Sequence, residues 1–153
     1  MESTSLGFKK LLEDGADPVT AYREAINANA AQANAVLSEL AGPWEPLTLS
    51  AKVREESSGV PTPRARIELL GNIVRLRGML EVRSGDELKI GETLATLPVG
   101  LRPKLDDSFA AALVNTAKPP VWIEVQTTGG LIVEAALGEK DLILLSGCTF
   151  ALT

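Results

Sequence analysis

Residues 18–43 read PVTAYREAINANAAQANAVLSELAGP, and this stretch divides the chain into two regions of different character. Asp17–Pro18 is a typical helix start, because aspartate caps the free N–H groups of a first turn and proline fits its first position. Gly42–Pro43 is a typical helix end, since glycine favours the C-terminal turn and proline cannot continue a helix. The sequence therefore predicts a helix from Pro18 to about Ala41.

Small and apolar side chains recur along this helix at alternating spacings of three and four residues. They are Val19, Tyr22, Ile26, Asn29, Ala33, Val36 and Leu40. A seam this narrow is typical of a coiled coil, in which a polar Asn29 can set the register. A single copy of this helix would gain little stability by folding alone. We therefore expect the seam to pack against the same seam of identical chains. Two alternatives stay open: the helix packs on its own β region, or Asn29 stays partly hydrated.

After Pro43 the sequence changes to short apolar and β-branched runs separated by glycine and proline. The expected strands are Leu47–Val53, Ala65–Leu70, Asn72–Val82, Thr93–Leu97, Ser108–Val114, Val121–Thr127, Leu131–Leu137, Asp141–Leu145 and Thr149–Leu152. Strands at spacings of about ten residues favour an antiparallel β-sandwich of jelly-roll type. We therefore expect a mainly β protein, with a helical coiled coil at 17–42 and a sandwich head at 44–153.

Several of these strands are apolar on both faces, although a small solitary sandwich normally keeps its outer faces polar. The outward-facing apolar residues include Ile73, Met79, Trp122 and Ile132. Such strands fit a head whose copies pack against one another about a three-fold axis. The alternative is a larger core that is wrapped by loops.

Composition argues against several classes of function. The chain has 153 residues, one cysteine, no histidine and a formal charge of −5. Without histidine there is no conventional catalytic triad and no imidazole metal ligand, and one cysteine allows no intrachain disulfide. An acidic chain is a poor match for nucleic acid, whose phosphates require a basic surface. We predict no enzyme activity, no catalytic residue, no cofactor and no metal site.

The sequence also predicts a soluble chain made in the cytoplasm. No apolar run approaches the roughly 20 residues that span a bilayer, so we expect no membrane insertion. The N-terminus, MESTS, lacks the basic and then apolar pattern of a signal peptide.

A few residues remain as candidates for ligand or inter-subunit contacts: Arg75, Arg77 and Trp122. Arg75 and Arg77 lie two residues apart on one strand face, and with Arg64, Arg66 and Arg102 they form a candidate patch for carboxylates or acidic sugars. In the alternative, these arginines pair with acidic residues across strands or subunits. Those acidic residues are Glu68, Glu81 and Glu124.

Three motifs of the β region resemble those of a known family. They are GNIVRLRG at 71–78, GETLATLPVGLRP at 91–103 and LILLSGCTF at 142–150. In this order they resemble the C-terminal β-sandwich heads of tailed-bacteriophage fibre, baseplate and minor tail proteins. The resemblance covers about 44–153 and consists of turn glycines, prolines and core leucines, with no catalytic residues.

The resemblance implies a homotrimer on the surface of a virion, whose partners are a capsid or tail protein and a host-surface glycan. The short region before the head favours a short spike or a capsid-decoration protein, with residues 1–16 as its anchor. Tail-tip receptor binding and carbohydrate binding are the alternatives. The candidate anchor contacts are Phe8, Lys9, Lys10, Leu11 and Leu12.

Overall fold

The computed structural model of the chain describes residues 18–56, 58–68 and 72–153, and it describes their side chains except those of residues 18 and 37–40. The chain divides into two compact units, Met1–Leu40 and Ala41–Thr153, which we call the helical unit and the β unit. The candidate anchor contacts from Phe8 to Leu12 lie outside the described residues.

Helix α1 spans Pro18–Leu40, so the predicted helix is confirmed and ends one residue earlier than expected. Four residues of its apolar seam, Val19, Tyr22, Ile26 and Val36, are between 48% and 59% exposed. Asn29 and Ala33 of the same seam are exposed as well, and the Leu40 side chain lies outside the described residues.

Twelve strands follow in the described part of the β unit, with a short 3-10 helix at Val99–Leu101. They are β1 (Glu45–Pro46), β2 (Thr48–Leu49), β3 (Val53–Glu55), β4 (Arg64–Glu68), β5 (Ile73–Arg77), β6 (Met79–Val82), β7 (Thr93–Thr96), β8 (Asp107–Leu113), β9 (Val121–Val125), β10 (Gly130–Val133), β11 (Leu142–Leu144) and β12 (Thr149–Ala151). One sheet has the order β1-β4-β5-β12, and the other has the order β2-β7-β10-β9-β8-β11-β6-β3. The expected antiparallel sandwich is confirmed, because every described strand pair is antiparallel.

One hydrophobic core joins the inner faces of the two sheets. Leu76 of the four-stranded sheet and Ile123 and Leu131 of the eight-stranded sheet belong to a single cluster of buried residues. Phe109 of β8 stacks on Phe150 of β12 with ring centroids 6.5 Å apart, so an aromatic pair links the sheets directly. Burial of this apolar area supplies the main stabilisation of the β unit.

The expected long strand Asn72–Val82 is divided in two, and each half belongs to a different sheet. The division falls at Gly78, which has a φ of +100° and whose N–H donates to Ser146 Oγ at 2.9 Å. A side chain there would come within 2.6 Å of Pro63 Cα, so only glycine fits this crossing between sheets. Glu81, one of the acidic residues considered as partners of those arginines, is instead buried and pairs with Arg54 at 2.9 Å.

The outward apolar residues fall into two groups. Met79 and Ile132 are each only 9% exposed, so the β unit covers them itself. Ile73 and Trp122 remain exposed, and each lies on the outer face of a different sheet. The expectation of apolar residues on outer faces therefore holds for this second pair.

Candidate binding surfaces

Four arginines occupy the outer face of the four-stranded sheet. The register of β4 and β5 places Arg64 opposite Arg77 and Arg66 opposite Arg75. The residues that alternate with them, Ala65, Val74 and Leu76, are buried, so the arginines point away from the core. With Trp44 and Glu68 they form what we call the arginine surface.

Trp44 holds two of these arginines against its indole ring. The guanidinium carbons of Arg66 and Arg77 lie 4.5 and 4.3 Å from the ring centroid, within the range of cation–π attraction. Arg64 donates to the Trp44 carbonyl oxygen at 3.5 Å. Pairing of β1 with β4 brings Trp44 to this position, because Glu45 lies opposite Ala65.

Glu68 is the carboxylate that neutralises part of this charge. It accepts from Arg66 at 2.6 Å and forms an ion pair with Arg75, whose Nε lies 3.1 Å from Glu68 Oε2. The expected ion pair therefore forms for Arg75, but Arg77 has a buried Nε without a hydrogen-bond acceptor, and so does Arg64. Four arginines against one glutamate leave three positive charges on this surface, although the whole chain carries −5.

Other residues from the sequence interpretation are positioned elsewhere. Arg102 lies outside the arginine surface, where its Nε donates to the Leu97 carbonyl oxygen at 3.1 Å. Glu124 Oε1 accepts from Gln126 at 3.4 Å rather than from an arginine.

Trp122 lies in β9, inside the eight-stranded sheet, with its side chain 55% exposed. Its strand partner is Ala110 of β8, whose small side chain leaves that flank of the indole open. On the other flank, the Glu134 N–H donates to the Trp122 carbonyl oxygen at 3.0 Å, so Glu134 lies beside Trp122. Glu124 follows two residues later on the same face of the strand. Trp122, Glu124 and Glu134 form what we call the Trp122 surface.

Sequence reasoning had selected Arg75, Arg77 and Trp122, but it missed Trp44 and Glu134 as their neighbours. The position of Trp44 over the arginines depends on the pairing of β1 with β4, which no local pattern in the sequence reveals.

The described residues contain no group of three cysteine, aspartate or glutamate side chains positioned to hold a metal ion. The Cys148 thiol is half-buried and lies 3.6 Å from the Leu144 carbonyl oxygen, and burial raises the pKa of this thiol. Within the described residues, no helix combines the length and apolar character needed to cross a membrane.

The chain matches no protein-family model and no curated protein. Its structure is similar to the crystal structure of the receptor binding protein (gp15) of Listeria phage PSA, with a TM-score of 0.60 and 17% sequence identity. The similarity covers 95% of this chain and 86% of that chain. It establishes a shared fold. The resemblance to phage β-sandwich heads is therefore supported at the level of architecture.

Proposed function

We propose that the chain is a virion surface protein of a tailed bacteriophage, a homotrimer that projects its β unit toward the host surface. The main support is the shared fold with a phage receptor binding protein across 95% of the chain. The three motifs at 71–78, 91–103 and 142–150 point independently to the same class of virion proteins.

The exposed seam of α1 supports assembly through the helix. Most helical stability in proteins comes from packing of an apolar face, and apolar side chains left half exposed contribute little to holding α1. Packing Val19, Tyr22, Ile26 and Val36 against the same residues of other copies would remove this apolar area from water. Residues 17–42 are thus proposed as the stalk and 44–153 as the head.

Attachment to the particle is assigned to residues 1–16. Phe8, Leu11 and Leu12 would contact a capsid or tail protein, with Lys9 and Lys10 beside them. In this proposal the protein needs no cofactor or metal and has no catalytic role. Cleavage of a polysaccharide by the purified chain would contradict the absence of a catalytic role.

The solution mass of the purified chain is the decisive test. Sedimentation equilibrium should give about three times the chain mass of 16.2 kDa. Deletion of residues 1–15 should leave an assembly of three of the shortened chains, because the stalk and the head remain, but should prevent incorporation into phage particles. A monomeric full chain would contradict the trimer, and incorporation of the truncated chain would contradict the anchor.

A carbohydrate-binding module is the second candidate, favoured by the exposed indole of Trp122, since aromatic rings stack on the apolar faces of sugars. Binding of the wild-type chain to glycans on an array would support this candidate if Trp122→Ala abolished that binding and left the trimer intact.

A further inference from the structure

The arginine surface has a repulsion that the chain itself relieves only in part, through Glu68 and Trp44. Arg64 faces Arg77 and Arg66 faces Arg75, and like charges directly opposite in an antiparallel pair are destabilising. Glu68 neutralises one charge, so the four arginines leave an excess of positive charge on this surface, which a negatively charged partner would balance.

The Trp122 surface has the opposite character. Glu124 and Glu134 flank an exposed indole on the outer face of the other sheet, so this surface carries two negative charges and an uncovered aromatic ring. Exposed Trp and Arg side chains are the residue types that most often dominate the energy of a protein interface.

A three-fold ring requires two such surfaces. In a closed ring of three copies every contact is heterologous, so each copy presents one surface to the copy before it and a different one to the copy after it. The β unit has two outer faces, on different sheets, whose charges are complementary.

We infer that the arginine surface of one copy binds the Trp122 surface of the next copy. The carboxylates of Glu124 and Glu134 would accept from guanidinium groups of the partner, and Trp122 would be covered. This inference rests on the proposed trimer, and it assigns Trp122 to a second copy of the chain rather than to a sugar.

The test is a charge exchange in the full chain. Arg75→Glu and Glu134→Arg are made singly and together, and dissociation of the trimer on dilution is followed by sedimentation at low and high salt. Lys104→Glu is the matched control, because Lys104 is exposed and belongs to neither surface. Arg75→Gln removes the positive charge without adding a negative one, and a thermal melt checks that each variant folds.

Each single exchange should weaken the trimer on the order of tenfold, and the double variant should recover most of that loss. High salt should weaken the wild-type trimer, because screening reduces attraction between charged surfaces. Arg75→Gln should have a smaller effect than Arg75→Glu, and Lys104→Glu should leave dissociation unchanged.

Other outcomes separate the two proposals. A wild-type trimer whose dissociation is unaffected by both single exchanges would overturn this inference and leave the proposed function standing. A monomeric wild type would overturn the proposed function, and this inference with it. Loss of polygalacturonate binding in Arg75→Glu, or of glycan binding in Trp122→Ala, with unchanged dissociation would assign these surfaces to ligands and overturn the inference.

Discussion

The two units of the chain differ in how far their apolar side chains are buried. In the β unit, side chains such as Leu76 and Ile123 are fully buried in one core that both sheets share. In α1, the seam residues Val19, Tyr22, Ile26 and Val36 stay about half exposed. The comparison teaches that the β unit contains its own source of stability, whereas the seam of α1 adds little buried apolar area among the described residues.

The largest effect is expected from a charge in the seam. In Ile26→Asp, three carboxylates would meet in one layer of the assembly, and unpaired buried charges are strongly destabilising. We expect the mass to fall from three copies to one, measured by sedimentation, while the thermal melt of the β unit persists. Asn27→Asp adds the same charge beside the seam and should remain trimeric. An Ile26→Asp trimer that dissociates on dilution no more readily than the wild type would show that this seam does not join the copies.

The second effect concerns the core. Leu76 is fully buried, so Leu76→Ala should lower the free energy of unfolding of the β unit by about 2–5 kcal/mol, through lost burial and the cavity that remains. Urea unfolding measures this loss. Val99→Ala, at a 78% exposed position, should change it by less than about 0.5 kcal/mol. Equal losses in the two variants would contradict the assigned core.

A smaller effect is expected at the crossing between sheets. Gly78→Ala places a side chain at a φ of +100°, which costs about 1–3 kcal/mol of unfolding free energy, and also presses it against Pro63. Gly85→Ala is the control, because its φ is +83° but no atom lies within 4 Å of the added carbon. We expect Gly78→Ala to lose more stability in urea than Gly85→Ala. The reverse order would argue against the tight contact with Pro63.

The smallest effect is a dependence on pH. The Lys52 ammonium, 2.8 Å from Glu92, and the Lys89 N–H lower the pKa of the Glu92 carboxyl. A carboxyl whose folded pKa lies below its unfolded pKa stabilises the protein above the unfolded pKa, and this contribution is lost as pH falls through the folded pKa. In Glu92→Gln, the free energy of unfolding measured in urea should therefore fall less steeply as the pH is lowered. Lys52→Gln should reduce this slope in part, and an unchanged slope in both variants would contradict the ion pair.

Much of the architecture was readable from local patterns. The helix from Pro18 to Leu40 follows from its boundary residues and heptad spacing, and the sandwich follows from short runs separated by turns. The candidates Arg75, Arg77 and Trp122 were also identified correctly as outward residues, because alternation along a strand separates its two faces.

The missed features all depend on contacts distant in sequence. The motif at 71–78 ends at Gly78, a turn glycine, but its role in sending one half-strand to each sheet depends on contacts with Pro63 and Ser146. Burial of Glu81 depends on its pairing with Arg54 across β3 and β6. A strand pattern specifies which residues share a face, but it does not specify which face or which strand lies opposite.

By itself, the sequence determined the helix, the narrow apolar seam, the mainly β region and the lack of histidine chemistry, because each depends on residue type and spacing along the chain. Only the tertiary structure decided that Trp44 covers two arginines, that two Arg–Arg pairs share a sheet face and that Glu134 stands beside Trp122. The physical reason is that strand pairing joins residues far apart in sequence, and the core that all strands share selects those pairings together.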